Sequence, residues 1–184
     1  MRILALLALL GAVALPAAGA RAADGALLRT TLIVADIGRS IAFYRVLGFE
    51  PVGDMGGERD PQSRFPLNAA SRRFRLVVLA DAQRSPARIG VLQFQDASPA
   101  PVRAPRRRVG LGDMVFVIDV ADAAAAHAAL TQAGADVVEP PQVYRSKELD
   151  ARGRALEGRV FHAFDPDGYL VELLEAPKPV PPSQ

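Results

Sequence analysis

The 184-residue chain contains no cysteine and no tryptophan. Without cysteine, disulfides, thiolate metal sites, cysteine nucleophiles and lipid attachment at a cysteine are all excluded. No phosphate-binding glycine loop, dinucleotide fingerprint or nucleophile elbow occurs either. The formal charge of +2 disappears once the N-terminus is considered. Arg2 precedes an apolar run from Ile3 to Leu15, then Pro16 and small residues lead to Ala20-Arg21-Ala22. A charged start, an apolar middle and an A-x-A site describe a secretory signal peptide at 1–22, because the run is too short for a membrane span. Its removal takes away Arg2 and Arg21 and leaves 20 basic and 20 acidic residues, so no nucleic-acid partner is expected. The mature protein is expected to be exported, periplasmic or secreted, with no membrane attachment after cleavage.

What is present is an internal repeat. Val34-Ala35-Asp36 recurs as Val120-Ala121-Asp122, Gly48 as Gly134 and Val52 as Val138, all 86 residues apart. In each copy an apolar strand runs into an aspartate, an amphipathic stretch follows, and a glycine ends it. Asp36 is suited to cap a helix whose face carries Ile37, Ile41, Tyr44 and Leu47, with Gly48 as terminator. Asp122 caps the second, with Ala123, Ala126, Leu130 and Ala133 as its buried stripe.

Strands are expected at 30–34, 49–52, 74–79 and 89–94 in the first unit, and at 114–120, 136–138, 159–164 and 169–174 in the second. The last two are joined by Asp165-Pro166-Asp167-Gly168, a turn by composition. This predicts an α+β domain at 26–176 made of two βαβββ modules forming a curved mixed sheet. Module 1 covers 26–96, a proline-rich linker 97–109 and module 2 110–176. Irregular stretches are expected at 53–70 and 139–158, and a disordered tail at 177–184.

Two segments, "TLIVADIGRSIAFYRVLGF" and "FDPDGYLVELLE", resemble the vicinal oxygen chelate superfamily, which includes glyoxalase I, extradiol dioxygenases and bleomycin resistance proteins. The resemblance covers about 27–176. It implies four metal ligands, one from the first and one from the last strand of each unit. Seven residues before Asp36, where the family commonly has histidine, stands Arg29; the same count from Asp122 gives Val115, with Asp113 as the nearest oxygen donor. Around 88–94 only Gln93 offers a side-chain oxygen, and only Glu172 matches the family pattern.

A fixed guanidinium at Arg29 repels a metal ion. It is instead suited to pair with Glu172 or to bind an anionic group. His162, on the strand before the turn, is a further candidate, either projecting into the pocket or serving a structural role. His127 is expected on a helix as a surface or helix-packing residue, and Arg106-Arg107-Arg108 in a solvated linker. The expected function is binding of a small organic ligand, an anionic one included, without a cofactor. The ligand-binding residues are Arg29, Asp113, His162 and Glu172. The alternative is a metal-dependent lyase, isomerase or dioxygenase holding a divalent metal at Glu172 with Asp113 or His162. A homodimer formed through the sheet edges remains open.

Overall fold

The computed structural model describes residues 26–81, 86–96, 99–100 and 108–180. The signal-peptide segment, most of the linker, including Arg106 and Arg107, and residues 181–184 lie outside the described residues.

Module 1 begins with β1 (Thr30–Ile33) and α1 (Ile37–Val46). Asp36 caps the helix: its Oδ1 accepts from the Gly38 and Arg39 amides at 2.8 and 3.0 Å. Gly48, at φ +86°, supplies the left-handed turn beyond it. Three antiparallel strands follow, β2 (Glu50–Glu58), β3 (Arg73–Ala80) and β4 (Arg88–Phe94), and β1 pairs with β4 in parallel, giving the order β1-β4-β3-β2.

Module 2 has a comparable helix cap and glycine turn, with one strand more. After β5 (Val115–Asp119), Asp122 accepts from Ala124 and Ala125 at 2.8 and 3.0 Å to cap α2 (Ala123–Gln132), and Gly134 has φ +73°. The sheet is β5 parallel to β9 (Leu170–Pro179), then β8 (Ala155–Phe164), with β6 (Asp136–Val137) and β7 (Gln142–Leu149) both paired to β8. The two sheets, of four and five strands, are not joined.

Four expectations need correction. The irregular stretch at 53–70 begins as strand, because β2 continues to Glu58 against β3 through a shift between Pro51 and Gly53. The stretch at 139–158 contains β7 and the start of β8; β7 is largely exposed, so its sequence shows no apolar alternation. Residues 177–179 continue β9, with Glu157 opposite Lys178 and Leu156 opposite Pro179. Backbone pairing and the Lys178–Glu175 ion pair hold that segment where composition suggested a tail. Ala133 is exposed at the helix cap, so the buried stripe of α2 comes down to Ala123 and Leu130, with Ala126 partly covered.

The helix-facing residues of both sheets and both helices share one core. It contains Leu32, Val77, Leu79, Val91, Tyr44 and Phe43 of module 1 and Phe161, Ala163, Val171, Leu173, Ala123 and Leu130 of module 2. Each fully buried large side chain contributes about 1.5–3 kcal/mol. His127 of α2 packs edge-on against Phe161, at 5.4 Å between ring centroids.

The turn at 165–168 does more than join two strands. The Asp167 carboxylate accepts from the Ala35 amide at 2.8 Å and the Ser40 hydroxyl at 3.2 Å, and Asp165 accepts from the buried Tyr44 hydroxyl at 3.1 Å. Module 2 is thereby docked on the start of α1.

Candidate functional site

Strand alternation divides the residues of module 2 between two faces. Phe161 and Ala163 on β8 and Val171 and Leu173 on β9 are fully buried, so His162 and Glu172 between them point away from α2. On β5 the same face carries Val115 and Val117, both exposed. His162 and Glu172 are directly opposed in the β8–β9 ladder. Their side chains meet, with Nε2 of His162 3.2 Å from Oε2 of Glu172.

A third residue completes the cluster. Glu139 places Oε1 2.6 Å from Nδ1 of His162. It can do so because the partner strand of β8 is interrupted between β6 and β7, where Pro140 and Pro141 have no amide to give to a ladder. The Val138 amide still donates to the His162 carbonyl, which fixes the approach of the break. The sequence carries a signal for the break, the proline pair, but none for the contact, which depends on register.

His162 is about one-third exposed. Burial alone would lower its pKa, but the hydrogen bonds and charges of Glu139 and Glu172 outweigh this and hold it above the usual imidazole value. With both ring nitrogens facing carboxylates, the doubly protonated ring donates to both, whereas a neutral ring donates to only one.

The other candidates lie elsewhere. Arg29 does not pair with Glu172: it is exposed, and its Nε donates to Thr31 Oγ1 at 3.1 Å. Asp113 turns back on its own loop, its Oδ2 accepting from the Gly110 amide at 2.6 Å. Gln93 braces α1, accepting from the Ile37 amide at 3.2 Å and donating to the Ala35 carbonyl at 3.0 Å. The site brings together His162 and Glu172 and leaves Arg29 and Asp113 outside their contacts.

The parallel ladders identify the module 1 counterpart of this pair. Val117, five residues before Asp122, is opposite Glu172, and Thr31, five before Asp36, is opposite Gly90. Gly90 therefore stands where module 2 has Glu172, and Val78, opposite Gly90, stands where module 2 has His162. A side chain at Gly90 has no room, since a Cβ would lie 2.8 Å from Thr31 Oγ1 and 3.2 Å from Leu76 Cδ1.

The family model of the Glyoxalase/Bleomycin resistance protein/Dioxygenase superfamily matches residues 26–173, and the chain belongs to that superfamily. A glyoxalase family protein from Bacillus cereus is similar in structure, with a TM-score of 0.63, 20% identity, and coverage of 85% of this chain and 99% of that one. The trypanothione-dependent glyoxalase I of Leishmania major gives a TM-score of 0.52 at 19% identity, covering 83% of this chain and 87% of its own. A glyoxalase I variant of Zea mays gives 0.54 at 16% identity, covering 82% of this chain and 45% of its own. These likenesses show the fold. No curated protein matches the sequence.

Members of the superfamily often bind a divalent metal. The residues here do not fit that group well. The strand positions the resemblance points to carry Arg29, Val115 and Glu172, with Gln93 the only oxygen donor around 88–94 and Gly90 at the register position equivalent to Glu172; only Glu172 among them is a carboxylate or histidine. Each nitrogen of His162 already faces a carboxylate, and these lie on opposite sides of the ring, so the three groups do not converge on a common point. Among the described residues no group of three or more His, Asp or Glu is arranged to hold a metal ion.

Proposed function

We propose that this protein is an exported small-molecule-binding member of the superfamily that works without a catalytic metal, its ligand contacting the open face of module 2. The observation that carries this reading is the engagement of both His162 nitrogens by Glu139 and Glu172. The crowding at Gly90, which leaves module 1 without an equivalent carboxylate, supports it. The exposed valines beside the cluster, Val115 and Val117, offer apolar contact next to hydrogen-bonding groups, the usual make-up of a small-molecule site.

The test is metal analysis of protein purified without chelator, alongside an Arg29→His variant. The expected result is no stoichiometric metal in the unmutated protein. Tightly bound Fe, Mn, Ni or Zn at one per chain would overturn the reading in favour of a metal-dependent lyase, isomerase or dioxygenase, the alternative that Glu172 favours. Export is tested by N-terminal sequencing of the protein recovered from the producing cells. A chain starting at Ala23 outside the cytoplasm is expected, and one retaining the apolar segment inside it would refute export.

A further inference from the structure

We propose that a cavity on the helix side of module 2 is a second binding site, which takes a small carboxylate through the Arg159 guanidinium. It lies on the face of the β8–β9 ladder opposite to His162 and Glu172, so it does not depend on the reading of the open face above.

Strand alternation places the cavity. Arg159 and Glu175 are directly opposed and continue the helix-side rows of Phe161 and Leu173. Val143 on β7 is opposite Arg159 in turn. Glu175 Oε2 accepts from the Ala123 amide at 3.1 Å, so this row lies where α2 begins. Arg159 and Val143 are exposed there, which shows that the sheet runs on beyond the cover of the helix. Arg145, Glu157 and Lys178 form the next row. Between the two rows β9 carries Ala176 and Pro177 against Gly158 alone on β8, a bulge in the ladder. The cavity at this bulge has a volume of about 230 Å³, with Val143, Arg159, Glu175 and Lys178 among its walls.

The inventory of donors sets the sign of the ligand. Glu157 accepts from Arg145 Nε at 2.8 Å, and Glu175 Oε1 accepts from Lys178 Nζ at 2.7 Å. Each carboxylate of the cavity therefore has its own cation. Arg159 has no such partner: among the described residues its guanidinium makes no hydrogen bond and no ion pair. The carboxylates that feel its charge from further off, Asp122 and Glu175, are engaged by the first amides of α2. The group left over is a planar donor fork, which matches a carboxylate in two parallel hydrogen bonds. A cation entering the cavity meets Arg159 and finds both glutamates already paired. Arg29, the guanidinium that the sequence offers to an anion, donates to Thr31 instead.

Size and lining fix the rest of the ligand. The cavity is smaller than the ~300–1,000 Å³ of sites for drug-sized molecules, so its occupant is small. Val143, Pro179 and Val180 offer apolar contact to a short chain or a single ring.

Calorimetry and NMR titration of the purified protein test this, with hexanoate and phenylacetate set against hexanol, hexylamine and inorganic phosphate. The carboxylates are expected to bind about tenfold more tightly than hexanol, as charge-assisted hydrogen bonds allow, and to shift the Arg159 Nε–H resonance. Arg159→Gln should weaken them by about the same factor. Val143→Glu provides a second test at an exposed position: a carboxylate opposite Arg159 should abolish hexanoate binding without loss of fold. Arg29→Ala should leave carboxylate binding unchanged.

Hexylamine or phosphate binding as tightly as the carboxylates would overturn the proposal. So would carboxylate binding that survives both Arg159→Gln and Val143→Glu, binding that is lost in Arg29→Ala instead, or failure of every probe to bind. None of these outcomes touches the open face, whose reading is decided by metal content.

Discussion

The Tyr44 hydroxyl in α1 donates to Oδ2 of Asp165, 121 residues away in the turn before β9, at 3.1 Å. Both groups are buried, and the bond ties one module to the other. Burial, and then the nearby Asp165 charge, raise the pKa of the tyrosine, so it stays a donor at any pH the protein meets. Burial also raises that of Asp165, against the lowering effect of the amides of Tyr169 and Asp167 and of the Tyr44 hydroxyl.

Tyr44→Phe keeps the ring contacts with Phe43 and Phe49 but removes the donor. It should destabilise the fold by about 1–3 kcal/mol, the cost of a buried acceptor losing a partner. Equilibrium denaturant unfolding measures this; an unchanged midpoint would mean that the bond does not hold the modules together.

Gly90→Ala should cost about 1–3 kcal/mol through overpacking, because the new methyl meets Thr31 Oγ1 at 2.8 Å and Thr31 Cγ2 at 3.3 Å. Adding Thr31→Ala removes both atoms and should recover part of the loss. Thermal melts of the single and double variants check the pairing, and equal Tm values for the two would argue against the crowding.

Asp96 predicts a pH dependence. The Ser71 hydroxyl foremost, then the amides of Arg72 and Arg73, hold its carboxyl at about 2, below the ordinary aspartate value, although burial acts in the opposite direction. A folded-state pKa lowered in this way contributes stability that is complete above the unfolded value of about 3.9 and is lost as the pH falls through the folded one. Melting temperature should therefore decline between about pH 4 and pH 2. Asp96→Asn should flatten that limb; an equally steep decline would assign acid sensitivity to other groups.

His162 predicts the opposite limb. Its raised pKa means that the stability it contributes is complete below the unfolded value and is lost as the pH rises through the folded one. Glu139→Gln removes one of the two carboxylates responsible and should lower the His162 pKa, as followed by NMR titration of its ring protons. A pKa unchanged by the substitution would place the Glu139 contact outside the solution structure.

Capping aspartates, terminating glycines and the 165–168 turn are local features: the side chain and the backbone it serves are at most four residues apart, so they could be read from the sequence directly. The glutamate on β9 could be read too, through the resemblance carried by its flanking residues. Arg29 and Gln93 were equally visible, but their bonds, to Thr31 and to the start of α1, were not. An exposed strand such as β7 has no apolar period to betray it, and the 177–179 segment is strand only because β8 is there to pair with it.

The sequence by itself determined the α+β framework, since helix caps, glycine turns and strand alternation are written into neighbouring residues. Only the tertiary structure decided the chemistry of the open face. Cross-strand register sets His162 against Glu172 and Gly90 against Thr31, and a proline-broken edge brings Glu139 to the histidine. Those partners are separated along the chain by 10 to 59 residues, and the distance is closed only by strand pairing.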